Sequence, residues 1–389
     1  MKKLRYALLI LFCCVACLTC PKDNDTPAWE NISQTERDSY TPTIAADDNG
    51  NVYVVWADST PGNAEILFAE KYANGIWSEP SNISNSPSID VVPFIDIDGF
   101  GNLHTCWWQI ESGVPDARIL YRMRDAAGVW QDSRILAQTT SSDSEYALPR
   151  IICDSNSNVF VVWEAVGTLR YVYQAPGDTW SDILTIPNSS AGNPAELATD
   201  PQSNLHIGWP GGSDQIKYQM RTSDGTWQDY TVVDDHTSFP FGKDITTDGA
   251  GNAYITWDKN YGGNGRYVYY ATNKSGTWSE RIELPRVRDS DEGAQCACAA
   301  EEDGTLHLIW RNWRRDTPEY VAAEIHYAKQ YPDDTWSNIH NISNTNSEST
   351  CGVRGIALDG YGNAHIVWSD HEPGNYDILY IMIPADSLN

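Results

Sequence analysis

Three ionisable residues share one level of a repeating pattern. Arg150, Glu196 and Asp244 each stand thirteen residues before a motif tryptophan, and Lys243 stands one position earlier in its repeat. The other repeats place Thr43, Phe94, Ala297 and Gly355 at the first position, while Arg354 shares the earlier position with Lys243. Ionisable groups gathered in a concavity are where pKa values shift and proton transfer becomes feasible. Glu196 and Asp244, on neighbouring strands, are candidates for a general acid and base acting on a glycosidic bond. The same residues could instead form a salt-bridged polar lining, with Arg354 further round. A second feature escapes the repeat: Arg311-Asn312-Trp313-Arg314-Arg315, read as a loop, with Arg286 and Arg288 entering the same unit. Guanidinium groups beside an exposed aromatic ring suit a carboxylated or sulfated sugar, or an acidic protein loop. Asp289, Asp291, Glu292 and Asp316 are close enough in sequence to neutralise them. Trp108 and Trp313 lie outside the repeat, so they join Arg150, Lys243, Arg311, Arg314 and Arg354 as the candidate ligand-binding set. Tyr146 and His236, both between repeats, are the available proton-transfer groups for an eliminative mechanism.

The elements that must position these residues are written in tryptophan. Seven segments read apolar-x-Asp-x-x-Gly-Asn-apolar-aromatic-apolar-x-Trp in degenerate form, ending at Trp56, Trp107, Trp163, Trp209, Trp257, Trp310 and Trp368. A second series, Trp77, Trp130, Trp180, Trp227, Trp278 and Trp336, follows Gly- or Asp-containing turns. Between the two lie short alternating runs such as Ile66-Leu67-Phe68-Ala69 and Ile325-His326-Tyr327-Ala328. Each unit thus holds four short strands, with Asp-x-x-Gly-Asn as the hairpin between the first two and the second-series Trp opening the fourth. Four-stranded units repeating about every 50 residues predict an all-β, seven-bladed β-propeller. The seventh unit ends after its third strand at Ile381-Met382-Ile383. Trp29-Glu30-Asn31-Ile32-Ser33 matches the missing fourth strand in kind, as comparison with Asn341-Ile342-Ser343 shows. The N-terminal strand is therefore expected to complete the last blade and remove an open edge.

Several chemically suggestive residues have architectural readings. His104, His206, His307 and His365 stand three residues before a motif Trp, where Tyr53, Phe160 and Tyr254 stand elsewhere; the position asks for a flat ring that packs between blades. Asp96-Ile97-Asp98-Gly99-Phe100-Gly101-Asn102 looks like half a calcium loop but lacks the later bidentate carboxylate, so a hairpin is expected. Cys106, Cys153, Cys296, Cys298 and Cys351 read as small buried hydrophobes, with one disulfide from Cys351 to Cys296 or Cys298 left open. No metal site, cofactor motif, Ser/His/Asp order or phosphate loop is expected.

Second-strand segments such as His365-Ile366-Val367-Trp368-Ser369-Asp370, with turns such as Ser223-Asp224-Gly225-Thr226-Trp227, resemble sialidase-like propellers carrying bacterial neuraminidase (Asp-box) repeats. The resemblance runs from about Trp29 to Ile383 and implies a propeller fold. The Asp-box pattern is one residue short here, and no Arg-Ile-Pro supplies the first arginine of a sialidase triad, so no sialidase catalytic residue is carried over. Seven-bladed propellers also include polysaccharide lyases with a Tyr/His/Arg site and many binding proteins.

Composition frames these readings. The 389 residues include 16 Trp and 21 Tyr against 7 Phe, a bias toward pleated, half-buried surfaces. A formal net charge of -27 repels phosphates, which argues against nucleic acid as a partner and against adsorption to anionic lipid. Lys2, Lys3 and Arg5 precede an apolar run from Ala7 to Val15, the layout of an export signal too short to span a bilayer. Its end resembles a bacterial lipoprotein signal, with Cys17 or Cys20 as the lipidated residue. Residues 1–19 are then a signal, 20–27 a tether, and 28–389 one propeller held at the cell envelope by its lipid, periplasmic or surface-facing. The leading expectation is a non-catalytic propeller that binds a glycan or protein there. A glycan-active enzyme at the channel mouth, hydrolase or lyase, is the alternative, and a purely structural scaffold a third reading.

Overall fold

The computed structural model describes residues 28–387 apart from 74, 112–116, 140–147, 166, 191–193, 213–214, 237–242, 262–264 and 315–321. Tyr146, Cys17, Cys20 and the predicted leader and tether lie outside the described residues, as does the side chain of Arg314. Among these residues the chain forms seven four-stranded antiparallel sheets, each a blade of a ring. Blade 1 runs Ser39–Ala46, Val52–Asp58, Glu65–Lys71 and Ser81–Asn82 from the channel outward. Blades 2 to 6 repeat this order. In blade 7, Ser349–Leu358, Ala364–Asp370 and Asp377–Ile383 are completed by Glu30–Asn31, in register with Tyr380 and Leu379. The expected closure by the N-terminal strand is what the sheet shows, and it covers the edge of the last blade.

The hairpin between the first two strands of each blade forms the same way six times. In Asp47, Asp98, Asp154, Asp200, Asp248 and Asp359, one carboxylate oxygen accepts the amides two and four residues on, and the other accepts the Asn side chain. The turn needs a left-handed residue, supplied by glycine at Gly50, Gly101, Gly251, Gly304 and Gly362. Blades 3 and 4 put serine there, Ser157 and Ser203, with φ of 60° and 61°. Their hydroxyls take inter-blade or turn partners instead, Gly99 N for Ser157 and the Ser155 hydroxyl for Ser203. The stretch from Asp96 is this hairpin: Asp98 caps the turn, while Asp96 points into the channel and accepts the Cys153 amide of the next blade.

Both tryptophan series are scaffold. Trp56, Trp107, Trp209, Trp257 and Trp368 are fully buried, with Trp163 and Trp310 nearly so. Second-series rings wedge edge-on against the third-strand aromatic of the preceding blade: Trp130 on Phe68, Trp180 on Tyr121, Trp227 on Tyr171, Trp278 on Tyr218 and Trp336 on Tyr270. Trp77 of blade 1 meets Tyr380 of blade 7 across the closure at 4.9 Å. The fourth strand differs from expectation. The Trp makes one isolated bridge in blades 1, 2, 4 and 6, and in blade 1 the paired segment is only Ser81–Asn82. Tucking the indole between blades pulls the chain off the ladder, which leaves a short edge.

Candidate functional site

The innermost strands divide into two kinds. Blades 1, 2, 6 and 7 carry a register shift in that strand, at Tyr40/Thr43, Val91/Phe94, Ala294/Cys296 and Cys351/Ile356. Each shift holds a left-handed non-glycine residue: Thr41, Val92, Gln295 and Arg354, with φ between 46° and 55°. Such bulges re-aim side chains and gather next to functional sites. Blades 3, 4 and 5 have shorter, unshifted strands beginning at Arg150, Glu196 and Lys243. The sequence register that grouped Arg150, Glu196 and Asp244 therefore coincides with the three regular blades.

Arg150 and Glu196 meet, paired and covered, with Lys243 buried near them. Asp244 does not join them as expected: the next residue along its strand, it lines the separate cavity below. Arg150 Nε and Nη2 donate to the two oxygens of Glu196, each at 2.8 Å, and both side chains are buried. The Arg150 guanidinium also lies 4.1 Å from the Phe94 ring centroid. Lys243 is buried under the influence of Glu196, Arg150, Asp258 and Glu164, and desolvation draws its pKa down to about 8. Asp244 accepts the Ile245 and Cys298 amides, and burial pushes its pKa up to about 7 against the attraction of Arg354. Arg354 does not face the mouth. From the blade 7 bulge its guanidinium crosses the channel and donates to the Leu197 carbonyl of blade 4, close to Asp96 and Asp244. Two cavities follow: one of about 220 Å³ at the mouth, lined by Thr41, Val92, Phe94, Arg150 and Gln295, and one of about 290 Å³ below, lined by Asp96, Asp244 and Arg354.

The loop face, at the ends of strands two and three, carries the rest. Arg311 to Arg314 prolong the strand Leu306–Arg314 and do not form the expected loop. They pair with the long strand Asp291–Ala300, and Asn312 is buried against Asp291 at 3.3 Å. Arg311 is ion-paired with Glu348 and sits 5.6 Å over Trp313. Arg286 pairs with Glu283 and covers Tyr267 at 4.7 Å, and Lys259 covers Tyr261 at 4.6 Å. Arg266 and Arg281 are held by Asp258 and Asp234. Glu348, Asp258 and Asp234 are distant in sequence from the expected local acids, of which Asp316 lies outside the described residues. Arg288 is exposed, and Trp108 lies half-buried on the strand Leu103–Ile110 of blade 2. His236 is exposed and its Nδ1 contacts the Asp235 carboxylate on the rim after blade 4. With Asp234 these residues bring ligand atoms within 4.8 Å, though Arg281 already occupies Asp234.

The repeated histidines and the cysteines are buried in the interior, as expected. The repeated histidines do more than pack. His104, His206 and His365 bridge the turn Asp and a buried tyrosine hydroxyl on the third strand, with both contacts between 2.8 and 3.2 Å. His307 does the same between Glu301 and Tyr327. Tyr254 reaches its turn Asp directly at 3.0 Å, so a polar ring end is used wherever there is one, and Phe160 in blade 3 fills the position by packing alone. The disulfide left open does not form: Cys296, Cys298 and Cys351 are buried thiols outside any disulfide, as are Cys106 and Cys153.

No protein-family model matches this chain. A curated relative, an A type blood N-acetyl-alpha-D-galactosamine deacetylase from Flavonifractor plautii, is 28% identical over 171 residues, which is 42% of this chain and 19% of the relative. The chain thus spans about a fifth of that relative's length. Solved structures with the same fold include an ulvan lyase bound to a repeat of glucuronic acid and sulfated rhamnose, at TM-score 0.59 and 10% identity, covering 92% of this chain and 96% of that one. A leech intramolecular trans-sialidase aligns at TM-score 0.54 and 12% identity, over 93% of this chain and 71% of that one. A sialidase from Streptococcus pneumoniae aligns at 0.53 and 12%, over 95% and 72%. These likenesses establish the propeller fold.

Proposed function

We propose that this protein is an exported, lipid-anchored propeller that engages an acidic glycan on its loop face. The observation that carries the reading is the alternation of guanidinium or ammonium groups with half-exposed rings in blades 5 and 6: Lys259 on Tyr261, Arg286 on Tyr267, and Arg311 on Trp313. Planar apolar surface flanked by fixed donors suits a sugar ring bearing carboxylate or sulfate. That several structural neighbours and the partial relative are named for action on glycans supports it. Orientation fits an anchor at Cys17 or Cys20 as well. The segment Glu30–Asn31 runs antiparallel to Asp377–Ile383, so the preceding chain enters from the turn face and leaves the loop face outward. The Asp-box kinship of the repeats is part of the same reading.

Turnover is the second reading. The names of the relatives favour it, as do Asp244 and Lys243, whose pKa values burial brings to about 7 and about 8. Binding of the purified full chain to a panel of uronate-containing, sulfated and neutral polysaccharides tests both. The acidic members should bind, and Arg311→Ala with Trp313→Ala should weaken them about ten-fold, the loss expected of one charge-assisted contact. Absence of binding to every acidic member would overturn the reading. Release of reducing ends, unsaturated sugars or acetate, lost in Glu196→Gln, would establish the enzyme.

A further inference from the structure

The closure between blades 7 and 1 carries a second aromatic cluster on the loop face, and nothing in the repeat requires it. Tyr40 is 40% exposed, and its ring lies 5.7 Å from that of Tyr376 at an angle of 42°. His371, also exposed, stands edge-on to Tyr376 at 5.2 Å. Asp38 joins the two sides of the closure: its carboxylate accepts the Tyr376 amide at 3.0 Å and the Tyr40 hydroxyl, and these donors with nearby His371 hold it ionised. Tyr40 is followed directly by Thr41, the bulge residue at the 220 Å³ mouth cavity. The cluster therefore sits on the rim of the mouth.

It is also continuous with the glycan-facing sector of blade 6. Glu348, which holds Arg311 through its carboxylate, accepts the His371 amide through its carbonyl at 3.3 Å. A path of direct contacts thus runs from Trp313 and Arg311 through Glu348 to His371, Tyr376 and Tyr40. Charge changes along it. The blade 6 end offers a guanidinium on a ring. The seam offers Asp38, and Glu372 lies beside it, its amide bound to Asp370 and its carboxylate to the Asn346 amide. A carboxylated sugar fits the first and is repelled by the second, whereas an uncharged pyranose suits paired tyrosines with a carboxylate and an imidazole at their edge.

We propose that the blade 7–blade 1 seam is a stacking subsite for a neutral sugar ring, on the same chain whose acidic residue is held at Arg311 and Trp313. This rests on the glycan reading and narrows it: the ligand alternates acidic with neutral residues. The test uses the full chain and three hexasaccharides, hyaluronan (alternating glucuronate and neutral N-acetylglucosamine), hexagalacturonate (all acidic) and cellohexaose (all neutral), by calorimetry. Hyaluronan should bind more tightly than either of the others. Tyr40→Ala should weaken hyaluronan about ten-fold and leave hexagalacturonate within about two-fold, while Tyr40→Phe keeps most of the affinity. Trp313→Ala should weaken both acidic ligands. Because Tyr40 is exposed, an unchanged thermal midpoint separates contact from folding. Equal affinity of Tyr40→Ala and the parent for hyaluronan overturns the seam subsite, with the glycan reading intact if Trp313→Ala still weakens binding. No binding of either acidic hexasaccharide overturns both.

Discussion

At the scale of single residues, pairing decides what each ionisable group can do. Arg150 and Glu196 form a two-pronged, buried ion pair, so the carboxylate proposed as a catalytic group already has its donors. Replacing Arg150 alone by Met should destabilise the fold by about 3–5 kcal/mol, because Glu196 is left charged and uncompensated. The double replacement Arg150→Met with Glu196→Met should recover most of that loss in denaturant unfolding. If the double variant is as unstable as the single, the pair is not what holds this level of the channel. Asp244 makes a pH prediction. Its folded pKa, pushed up to about 7, exceeds the ordinary carboxylate value of 3.8, so the folded state holds a proton that the unfolded state has released. The stability this confers is complete below about pH 4 and is lost as pH rises through 7. Relative to Asp244→Asn, the parent should lose at most about 1.4 kcal/mol per pH unit across that window; a pH-independent difference would contradict the shift. Sequence register grouped Arg150, Glu196, Asp244 and Lys243; the first two and Lys243 do gather, while Asp244 lines the other cavity. Register could not show that Arg354 turns across the channel to Leu197, because the left-handed residue of that bulge is the arginine itself and neither of its neighbours Gly352 and Gly355.

At the scale of elements, the hairpins and tryptophans were readable because each occurs seven times with small changes. Even departures proved informative: Ser157 and Ser203 replace glycine and keep the turn, using their hydroxyls between neighbours. The Asp–His–Tyr chains were half legible. The histidine positions repeat, but their tyrosine partners lie on the third strand at varying sequence distances of 12 to 20 residues. The blade 6 arginines looked like a loop because charged runs usually are; the buried contact of Asn312 with Asp291 extends the strand through them. The closing strand offers the test at this scale. Ile32 is 4% exposed and packs with Trp56 and Tyr380 from both sides of the closure. Ile32→Ala should cost about 2–4 kcal/mol and make the chain near residue 30 more susceptible to proteolysis. An unchanged thermal midpoint would show that the N-terminal strand is an accessory to the ring and not its clasp.

For the whole molecule, repeated and irregular features fall on opposite faces of the ring. The turn face is filled by hairpins whose carboxylates are saturated by their own amides and Asn side chains, and it receives the N-terminal chain. The loop face gathers the irregular features: four bulged strands, the blade 5 and 6 cation–ring pairs, and the tyrosine seam. The fold was legible in sequence because a ring repeats its scaffold. The proposed site was less so, because its residues do not repeat and are as far apart as Tyr40 and Tyr376. The central claim is that glycan contacts fall on this one face. Hydrogen–deuterium exchange of the full chain, with and without hyaluronan, reads it directly. Protection should appear at the loop-side ends of Leu306–Arg314 and Asp377–Ile383 and around Asp38 to Tyr40, with the hairpins at Asp47, Asp154 and Asp248 unchanged. Protection confined to those hairpins, or to the outer strands, would contradict the account.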